Sequence, residues 1–355
     1  MSARFTDVSA EPREFSARRE RLALRARVQT LRDQSPSAEV AAFVAPRGEY
    51  SDVELGNFAA LQSGTTLWVS ATPLTQGETR VSVHAAALAW LAARTTSSSG
   101  LVDRLAVVDS IRPDVTARIL SATTLDTLVV DATTSESKAA APAPHLAMVS
   151  PSSEHLSFAG MFRDAGADVV IEHGVVAGEV IGLEVARVVQ ENGQACVQIG
   201  VGVHDRETFR MLNGAVATLE QMREVVRVVA THRAVGAPKH PLNLLATERA
   251  LRHRTLLKPE RIGCRSLEVV EPPYPRANLK DAVPCCATGI DLEGRDCVVV
   301  FTSGVDLDAI PFAVDARSRL SSHARLLVVA EARNIIPLQS KIASLFRVPI
   351  EMVSA

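Results

Sequence analysis

The sequence contains few aromatic residues, and this scarcity limits the ligands that it can bind by stacking. Aromatic side chains make up 4% of the 355 residues, with 10 Phe, 2 Trp and 2 Tyr. Proteins that hold single-stranded nucleic acids commonly stack the bases on aromatic side chains. The composition therefore argues against a binding groove of that kind.

Cysteines are also few, and their spacing excludes two common uses. The five cysteines are Cys196, Cys264, Cys285, Cys286 and Cys297, and none of them forms a CxxC pair. An odd set with this spacing indicates a reducing compartment, and it predicts neither a disulfide framework nor a zinc site. We expect the adjacent pair Cys285 and Cys286 to be at least partly buried.

Long apolar runs and a strong charge of one sign are missing as well. No segment reaches the roughly 18 uninterrupted apolar residues of a membrane span, and the first residues lack the pattern of an export signal. We therefore expect a cytoplasmic protein that does not enter a membrane. The formal charge of -2 excludes a generally polycationic coat for nucleic acid, so contact with a polyanion would have to be confined to a patch.

Several well-known catalytic and nucleotide-binding motifs are missing too. The sequence has no GxGxxG, GxxxxGK[ST], HExxH or GxSxG motif and no EF-hand loop. These motifs mark the commonest nucleotide-binding, protease and hydrolase sites. The function must therefore be sought in residues outside them.

What the sequence does contain is an alternation of strand and helix patterns in a chain with 47% hydrophobic and 22% charged residues. This composition predicts a globular protein of roughly two or three domains. Strands are predicted at 67–69, 105–109 and 125–131 and helices at 81–94 and 113–120, and the same order recurs with strands at 297–301, 325–330 and 350–353 and helices at 308–320 and 338–346. We expect an α/β fold in which two βαβαβ three-strand units, forming an internal repeat, flank a central mixed α/β region.

Composition also divides the chain into segments. The segment 132–144 is rich in Ala, Ser, Thr and Pro, which is typical of a linker, and we place the linker between the domains at 136–150. The predicted segments are an N-terminal basic helix (1–40), a first α/β unit (41–135), this linker, a central region with a basic helix (151–260), a Pro-rich connection with a strand (261–296) and the C-terminal βαβαβ unit (297–355). The basic helix at the start carries seven arginines between residues 12 and 33. Leu22, Leu24, Val28 and Leu31 form an apolar stripe at helical spacing, so we expect this helix to dock on the rest of the fold.

The central region shows a different pattern, with the order α-β-β-β-α. A helix is predicted at 153–165, strands at 169–172, 179–189 and 195–203, and a helix at 218–232. Asn192-Gly193 lies between two β-rich runs, and both residues tolerate the positive φ that a two-residue hairpin turn requires. We therefore predict a hairpin at this position.

The segment from His232 to Arg265 concentrates Arg, Lys and His in a chain that is otherwise balanced in charge, and a helix is predicted at 241–256 within it. Residues at spacings of three and four share a helix face. The candidate residues for binding phosphate or nucleic acid are Arg233, Lys239, His240, Arg249, Arg252 and His253. The alternative is a basic face that is solvated and paired with internal acids such as Glu248.

A second group of polar residues could supply acid-base or metal chemistry. The candidate catalytic residues are Glu184, His204, Asp205 and Glu207, because the strand pattern places all four near one small sheet, where carboxylates could share a metal or a proton with an imidazole. In the alternative, Asp205 caps a turn and Glu184 faces water beside Arg187. No metal can be assigned from the residues alone.

Two further segments have compositions that suggest a specific role. The tract from Glu271 to Arg276 contains three prolines, which favour an extended strap between domains. The segment Ser303 to Asp308 follows a strand and leads into a helix, the place where open α/β sheets tend to bind ligands. Its aspartates suit helix capping, a cation or a sugar hydroxyl.

The order helix, three strands, helix over residues 153–234 resembles the core of the PD-(D/E)XK (restriction-endonuclease-like) nuclease superfamily. The resemblance implies Mg²⁺ as cofactor, with Glu184 in the place of the carboxylate on the second core strand. The third strand, Cys196 to Gly200, has neither the acid nor the lysine of that superfamily, which implies a degenerate relative. The sequence segments HPLNLLATERALR and EPPYPRANLKDAVP are similar to segments of a group of uncharacterised actinobacterial proteins. This similarity assigns no role to any residue.

Two functions therefore compete. The first is a noncatalytic scaffold or interaction protein that binds a protein partner or a second copy of itself. The second is a phosphate-directed or nucleic-acid-directed protein derived from a nuclease-like core, with a possible dependence on metal. A small-molecule enzyme that uses the cleft near Ser303 to Asp308 is a third alternative. The sequence does not identify a substrate.

Overall fold

The alternation of strands and helices is present in the structure, a computed structural model that describes residues 10–34, 37–44, 50–73, 81–94, 102–133, 138–214, 216–276, 279 and 283–355, with side chains from residue 18 onward in the first helix. The chain divides into two units. Residues 1–144 and 336–349 form the first, and residues 145–335 and 350–355 form the second. The division near residue 144 lies in the predicted linker, while the N-terminal helix belongs to the first unit.

The helices are α1 (Ala10–Asp33), α2 (Ala38–Ala41), α3 (Val83–Arg94), α4 (Pro113–Leu120), α5 (Ser153–Leu156), α6 (Ala159–Asp164), α7 (Val203–Asn213), α8 (Leu219–Arg233), α9 (Thr247–Leu256), α10 (Ala309–Leu320) and α11 (Pro337–Ala343). The strands are β1 (Ser51–Leu55), β2 (Phe58–Ser63), β3 (Thr66–Pro73), β4 (Arg104–Asp109), β5 (Asp126–Asp131), β6 (Lys138–Ala139), β7 (Asp168–Glu172), β8 (Val175–Val180), β9 (Leu183–Glu191), β10 (Gln194–Ile199), β11 (Cys264–Val270), β12 (Cys285–Asp291), β13 (Asp296–Phe301), β14 (Arg325–Ala330) and β15 (Ile350–Ser354).

The first unit is built on a sheet in the order β1-β2-β3-β4-β5-β6. β3, β4 and β5 are parallel, as predicted for a βαβαβ unit, and β1 and β2 extend this part as an antiparallel hairpin. Helix α1 packs on the sheet with Leu24, Val28 and Leu31, whereas Leu22, which the sequence pattern places on the same apolar stripe, is exposed. The amphipathic pattern therefore predicted the docking helix and misplaced one residue of its buried face.

The second unit contains two sheets, and the larger has the order β11-β12-β13-β14-β15. β13, β14 and β15 are parallel, and the antiparallel strands β11 and β12 precede them. The strand order and directions therefore match those of β1 to β5. The chain between β14 and β15 leaves the second unit, because α11 belongs to the first unit and packs there against α3.

The smaller sheet is an antiparallel meander in the order β10-β9-β8-β7. Three two-residue turns connect its strands, and every turn residue has a positive φ. The predicted Asn192-Gly193 hairpin is confirmed. The turns His173-Gly174 and Ile181-Gly182 were not predicted, because His and Ile rarely adopt this conformation.

The central region therefore differs from the prediction in several details. It has four strands, and the predicted helix at 153–165 is split into α5 and α6. The predicted strand at 195–203 ends at Ile199, and the predicted helix at 241–256 is a single 3-10 turn, Pro241–Leu244, followed by α9. Ala246 adopts a left-handed conformation between the two, which breaks the helix.

Within the described residues, no helix combines the length and the apolar character needed to cross a bilayer.

Candidate functional site

The basic segment of the sequence forms a buried ion-pair cluster, not an open cationic surface. Arg249 of α9 contacts Glu172 at 2.5 Å and Glu179 at 2.7 Å, and Arg252 contacts the same two carboxylates at 3.0 and 3.2 Å. Each guanidinium thus bridges both acids, which lie on β7 and β8. We call these four residues the Arg–Glu ring.

Burial makes the Arg–Glu ring inaccessible to an external anion. Arg249 is 6% exposed and Arg252 is 1% exposed. Burial by itself raises the pKa of the Glu172 carboxyl, but the charges of Arg249 and Arg252 outweigh it and hold that pKa below its usual value. The lowered pKa keeps Glu172 ionised, and the ion pairs with Glu172 and Glu179 compensate the charges of the two arginines. The predicted anion-binding role of Arg249 and Arg252 is wrong, because their charge is already compensated inside the second unit.

Arg233, another predicted phosphate ligand, also has an internal role. It is 8% exposed and lies at the end of α8. Its guanidinium donates to the carbonyl of Ile181 at 3.0 Å and to the carbonyls of Leu242 and Leu245 at 2.5 and 2.9 Å. It thereby satisfies backbone acceptors of the β8–β9 turn and of the chain that leads to α9. The predicted phosphate contact is replaced by a structural one.

The remaining candidates of the basic segment do not converge on one point. The ring of His253 lies 2.9 Å from Asp168, while His240 stacks on His232 with ring centroids 3.9 Å apart. His240 also accepts a hydrogen bond from the amide of Leu242. Lys239 is exposed. These residues have separate surroundings, so they do not form a single phosphate-binding site.

Glu184, the proposed metal or acid-base residue, also forms ion pairs with arginines. It is 7% exposed. Arg187 donates to both of its oxygens, at 2.6 and 2.8 Å, and Arg206 donates to one of them at 3.1 Å. The expected contact with Arg187 is therefore present, but the carboxylate is buried and does not face water.

The other three acid-base candidates lie in and around the first turn of α7, where a strand edge was expected. The carboxylate of Asp205 accepts a hydrogen bond from the amide of Val201 at 2.6 Å, which fulfils the capping alternative. His204 has a fully exposed ring, which lies 3.7 Å from the carboxylate of Glu207. In the part of the chain that the structure describes, no group of three or more His, Cys, Asp or Glu side chains could hold a metal ion. The predicted cluster of Glu184, His204, Asp205 and Glu207 therefore does not form.

The Pro-rich tract is held by a buried acid. Glu271 is 4% exposed; it forms an ion pair with Arg319 and accepts a hydrogen bond from the amide of His173 at 2.7 Å. Arg319 also donates to the carbonyl of Pro272 at 2.8 Å. The tract thus connects α10 with the β7–β8 turn inside the second unit.

The thiols of Cys264 and Cys297 meet although their spacing in the sequence does not indicate a pair. Their sulfur atoms are 3.6 Å apart, and both residues are almost fully buried. The contact lowers the pKa of Cys264, because its thiolate accepts a hydrogen bond from Cys297. Elsewhere, burial raises the pKa of the Cys285 thiol to about 12. The expected burial of Cys285 and Cys286 is confirmed.

The segment at the carboxyl end of β13 contains a partly buried acid, Asp306, whose pKa is raised. The side chain of Asp306 accepts hydrogen bonds from Thr302 and from the amide of Asp308. Burial, followed by the charge of Asp308, raises the pKa of Asp306 to about 6. The position agrees with the predicted ligand-binding end of the sheet, but the contacts are those of a capping residue.

This titration predicts a dependence of stability on pH. The folded-state pKa of Asp306 lies above the unfolded value of 3.8. Its contribution to the unfolding free energy is therefore complete below the unfolded pKa, and it is lost as the pH rises through about 6. Relative to Asp306→Asn, the wild-type protein should lose about 2 to 3 kcal/mol of unfolding free energy between pH 4 and pH 8. Denaturant titrations across this range measure the difference. The exposed Asp296→Asn should follow the wild type, and parallel curves for Asp306→Asn and wild type would contradict the assignment.

No family model, curated protein or solved structure matches this chain. Its function must therefore be inferred from its own residues. Sequence reasoning missed Glu172 and Glu179, which neutralise the basic helix. The only sign of these partners in the sequence was the spacing of Arg249 and Arg252, which places both arginines on one helix face. This spacing shows that the two side chains could reach the same acids, but it does not show which acids these are.

Proposed function

We propose that this chain is a noncatalytic interaction protein that associates with a second copy of itself through the end of α7. The observation that carries the proposal is a group of exposed apolar side chains. Met211 is 85% exposed, Leu212 is 80% exposed and Val216 is 79% exposed, all within six residues of chain. Apolar groups clustered on a surface commonly mark contacts with other proteins.

The charges of α7 favour a second copy as the partner. The helix carries Asp205 in its first turn and Arg210 in its last turn. When two copies of a helix pack antiparallel about a two-fold axis, the first turn of one lies beside the last turn of the other. The acidic start would then face the basic end, where Arg210 also pairs with Glu191 of its own chain at 2.8 Å. The two helix dipoles would also be antiparallel.

The competing functions find less support in the arrangement of their residues. A nuclease-like site that uses Mg²⁺ needs a carboxylate available to the metal, but arginine side chains already bind both oxygens of Glu184. A phosphate-binding surface needs uncompensated cations, and Arg249 and Arg252 are neutralised by acids. An interaction surface requires neither of these.

The self-association is tested by light scattering coupled to size exclusion. The chain has a mass of 38.0 kDa, and we expect a species of twice that mass. Leu212→Lys should shift the equilibrium to the monomer, because a two-fold interface loses the burial of two leucines. At about 1.5 kcal/mol for each leucine, the dimer dissociation constant should rise by roughly a hundredfold or more.

Leu257→Lys is the matched control, since Leu257 is also a leucine that is 69% exposed, just beyond the end of α9. It should retain the mass of the wild-type species. A monomeric wild type at about 100 μM, far above the micromolar affinities of ordinary dimers, would overturn the proposal, as would equal effects of the two substitutions.

A further inference from the structure

A cavity lies between β10 and α7, and its lining reaches Gly214 and Ala217, next to the exposed apolar side chains at the end of α7. A water-sized group can occupy about 20 Å³ of it, and the surrounding empty space, including the part that opens to solvent, is about 320 Å³. Its lining includes one acid, Glu191 at the end of β9, together with Cys196 and Gln198 from β10 and Arg206, Phe209 and Arg210 from α7. The space and its open mouth suit a small chemical group, with the rest of a ligand outside.

The start of α7 approaches the end of β10 closely. Gly200 follows β10, and a Cβ atom at this position would lie 2.8 Å from the backbone nitrogen of Arg206. Only glycine permits this approach, which also requires its φ of 137°. The approach brings Arg206 inward, where its side chain is 8% exposed.

Arg206 is a buried cation whose hydrogen-bonding capacity is only partly used. One terminal nitrogen donates to Glu184 at 3.1 Å, while its Nε makes no hydrogen bond with any side chain or backbone group in the described ranges. Burial lowers the pKa of this guanidinium, although the charge of Glu184 acts in the opposite direction. A buried N–H group that lacks an acceptor costs about 1 to 3 kcal/mol.

The charges around the cavity leave this cation incompletely compensated. The buried carboxylate of Glu184 is shared by Arg187 and Arg206, so two cations have one acid. Arg210 is paired with Glu191 at 2.8 Å. Asp205, the remaining acid near Arg206, is exposed and accepts a hydrogen bond from the amide of Val201. An anion in the cavity would supply the acceptor and the charge that Arg206 lacks.

We propose that the cavity between β10 and α7 binds a small anionic group, a carboxylate or a phosphate, with Arg206 as its principal ligand. Phe209 provides an apolar part of the lining, and Gln198, whose side-chain amide donates to Glu191 at 2.6 Å, provides a polar part. Met211, Leu212 and Val216, which are proposed for self-association, adjoin this cavity in the chain but do not line it. The site differs from the cationic surface predicted from the sequence, because none of the predicted phosphate ligands takes part.

Cys196 offers a built-in reporter for this site. It is partly exposed and lines the cavity, while the other four cysteines are buried. An alkylating reagent that acts on the folded protein should therefore modify Cys196 selectively. In the reaction, the Cys196 thiolate attacks the carbon of an iodoacetyl reagent, a carbon–sulfur bond forms and iodide leaves, with the thiol proton released to solvent. Peptide mass spectrometry identifies the modified residue, and Cys196→Ser should abolish the labelling.

The test compares iodoacetate, which carries a carboxylate, with neutral iodoacetamide. The ratio of their rate constants cancels the intrinsic reactivity of the thiol, since both reagents attack the same thiolate. We expect this ratio to be about threefold to tenfold higher for Cys196 than for N-acetylcysteine at equal ionic strength, the size expected for one cation several ångströms away in a partly screened site. A ratio equal to that of N-acetylcysteine would overturn the proposal.

Two variants assign the effect to Arg206. Arg206→Met should bring the ratio down to that of N-acetylcysteine. Arg227→Met removes an exposed arginine of α8 that pairs with Glu224, and it should leave the ratio unchanged. An equal fall in both variants would show a general effect of net charge and contradict a site at Arg206.

A competition experiment on the wild-type protein does not depend on the folding of Arg206→Met. Sodium acetate or inorganic phosphate, but not acetamide, should slow the alkylation of Cys196 by iodoacetamide in a saturable manner at constant ionic strength. Protection by acetate alone would identify a carboxylate site, and stronger protection by phosphate would identify a phosphate site. If neither anion protects more than acetamide, the cavity is not an anion site.

Discussion

Replacing Arg252 with methionine should lower the unfolding free energy of the second unit by about 3 to 5 kcal/mol. The side chain is 1% exposed and bridges Glu172 and Glu179, so its removal leaves two buried carboxylates with Arg249 as their one remaining partner in the Arg–Glu ring. Removal of one partner from a buried ion pair has a cost of this size, because the charge left behind is neither solvated nor paired.

The measurement should report on the second unit alone. Cys285 and Cys286 lie beside Arg252, whose guanidinium donates to the carbonyl of Cys286, and both thiols are buried. Their rate of alkylation in increasing denaturant therefore measures the opening of this unit. Both tryptophans, Trp68 and Trp90, belong to the first unit, so tryptophan fluorescence provides an internal reference that should not change.

Two further variants define the origin of this effect. Arg227→Met, which removes an exposed arginine paired with Glu224, should have little influence on stability. Adding Glu179→Gln to Arg252→Met should recover part of the loss, because it removes one of the two stranded charges. A loss below about 1 kcal/mol in Arg252→Met, the size of an exposed ion pair, would show that the ring contributes no more than a surface contact.

Substituting Gly182 with alanine should be the most damaging change at a turn of the smaller sheet. A Cβ atom at this position would lie 2.3 Å from the backbone carbonyl carbon of Arg249, which is rigid backbone, not the end of a flexible side chain. The residue also has a φ of 75°, which disfavours any side chain. We expect a loss of more than about 3 kcal/mol, since the strain of the left-handed conformation adds to the displacement of α9.

Gly193→Ala is a matched control because it separates backbone strain from the steric clash. Gly193 occupies the equivalent position of the β9–β10 turn with a φ of 80°, but a Cβ atom added there would have no neighbour within 4 Å. It should lose only about 1 to 2 kcal/mol, the cost of the conformation itself. Alkylation of the buried cysteines in denaturant compares both variants. Equal losses would contradict the importance of the close approach between the β8–β9 turn and α9.

The main architecture followed from the sequence because it depends on local patterns. Apolar runs of strand length that alternate with amphipathic helices favour parallel βαβ units, and this prediction of an α/β fold is confirmed. The Asn192-Gly193 hairpin was predictable for the same reason, since the backbone preferences of the two residues select the turn. The β8–β9 turn was not predictable, because Ile181 by itself disfavours a φ of 48°. Arg233, which binds its carbonyl from 52 residues away, supports this conformation.

The candidate sites show the same division between local and distant information. The concentration of basic residues near α9 was visible in the sequence, but their partners lie 70 to 80 residues earlier in the chain. No pattern in the basic segment could show that Glu172 and Glu179 would meet Arg249 and Arg252. Likewise, the cavity lined by Cys196 and Arg206 exists because α7 returns against β10. Its residues share no motif.

By itself, the sequence determined the alternation of strands and helices and the Asn-Gly turn, since each depends on the hydrophobicity and backbone preference of neighbouring residues. The tertiary structure alone decided which charges remain available. An arginine can bind an anion only if folding leaves its charge unpaired; otherwise it forms internal ion pairs. Which acids it meets depends on the packing of strands and helices that are distant in the sequence. In this protein, folding neutralised Arg249 and Arg252 and left Arg206, buried beside a cavity, with an incomplete set of partners.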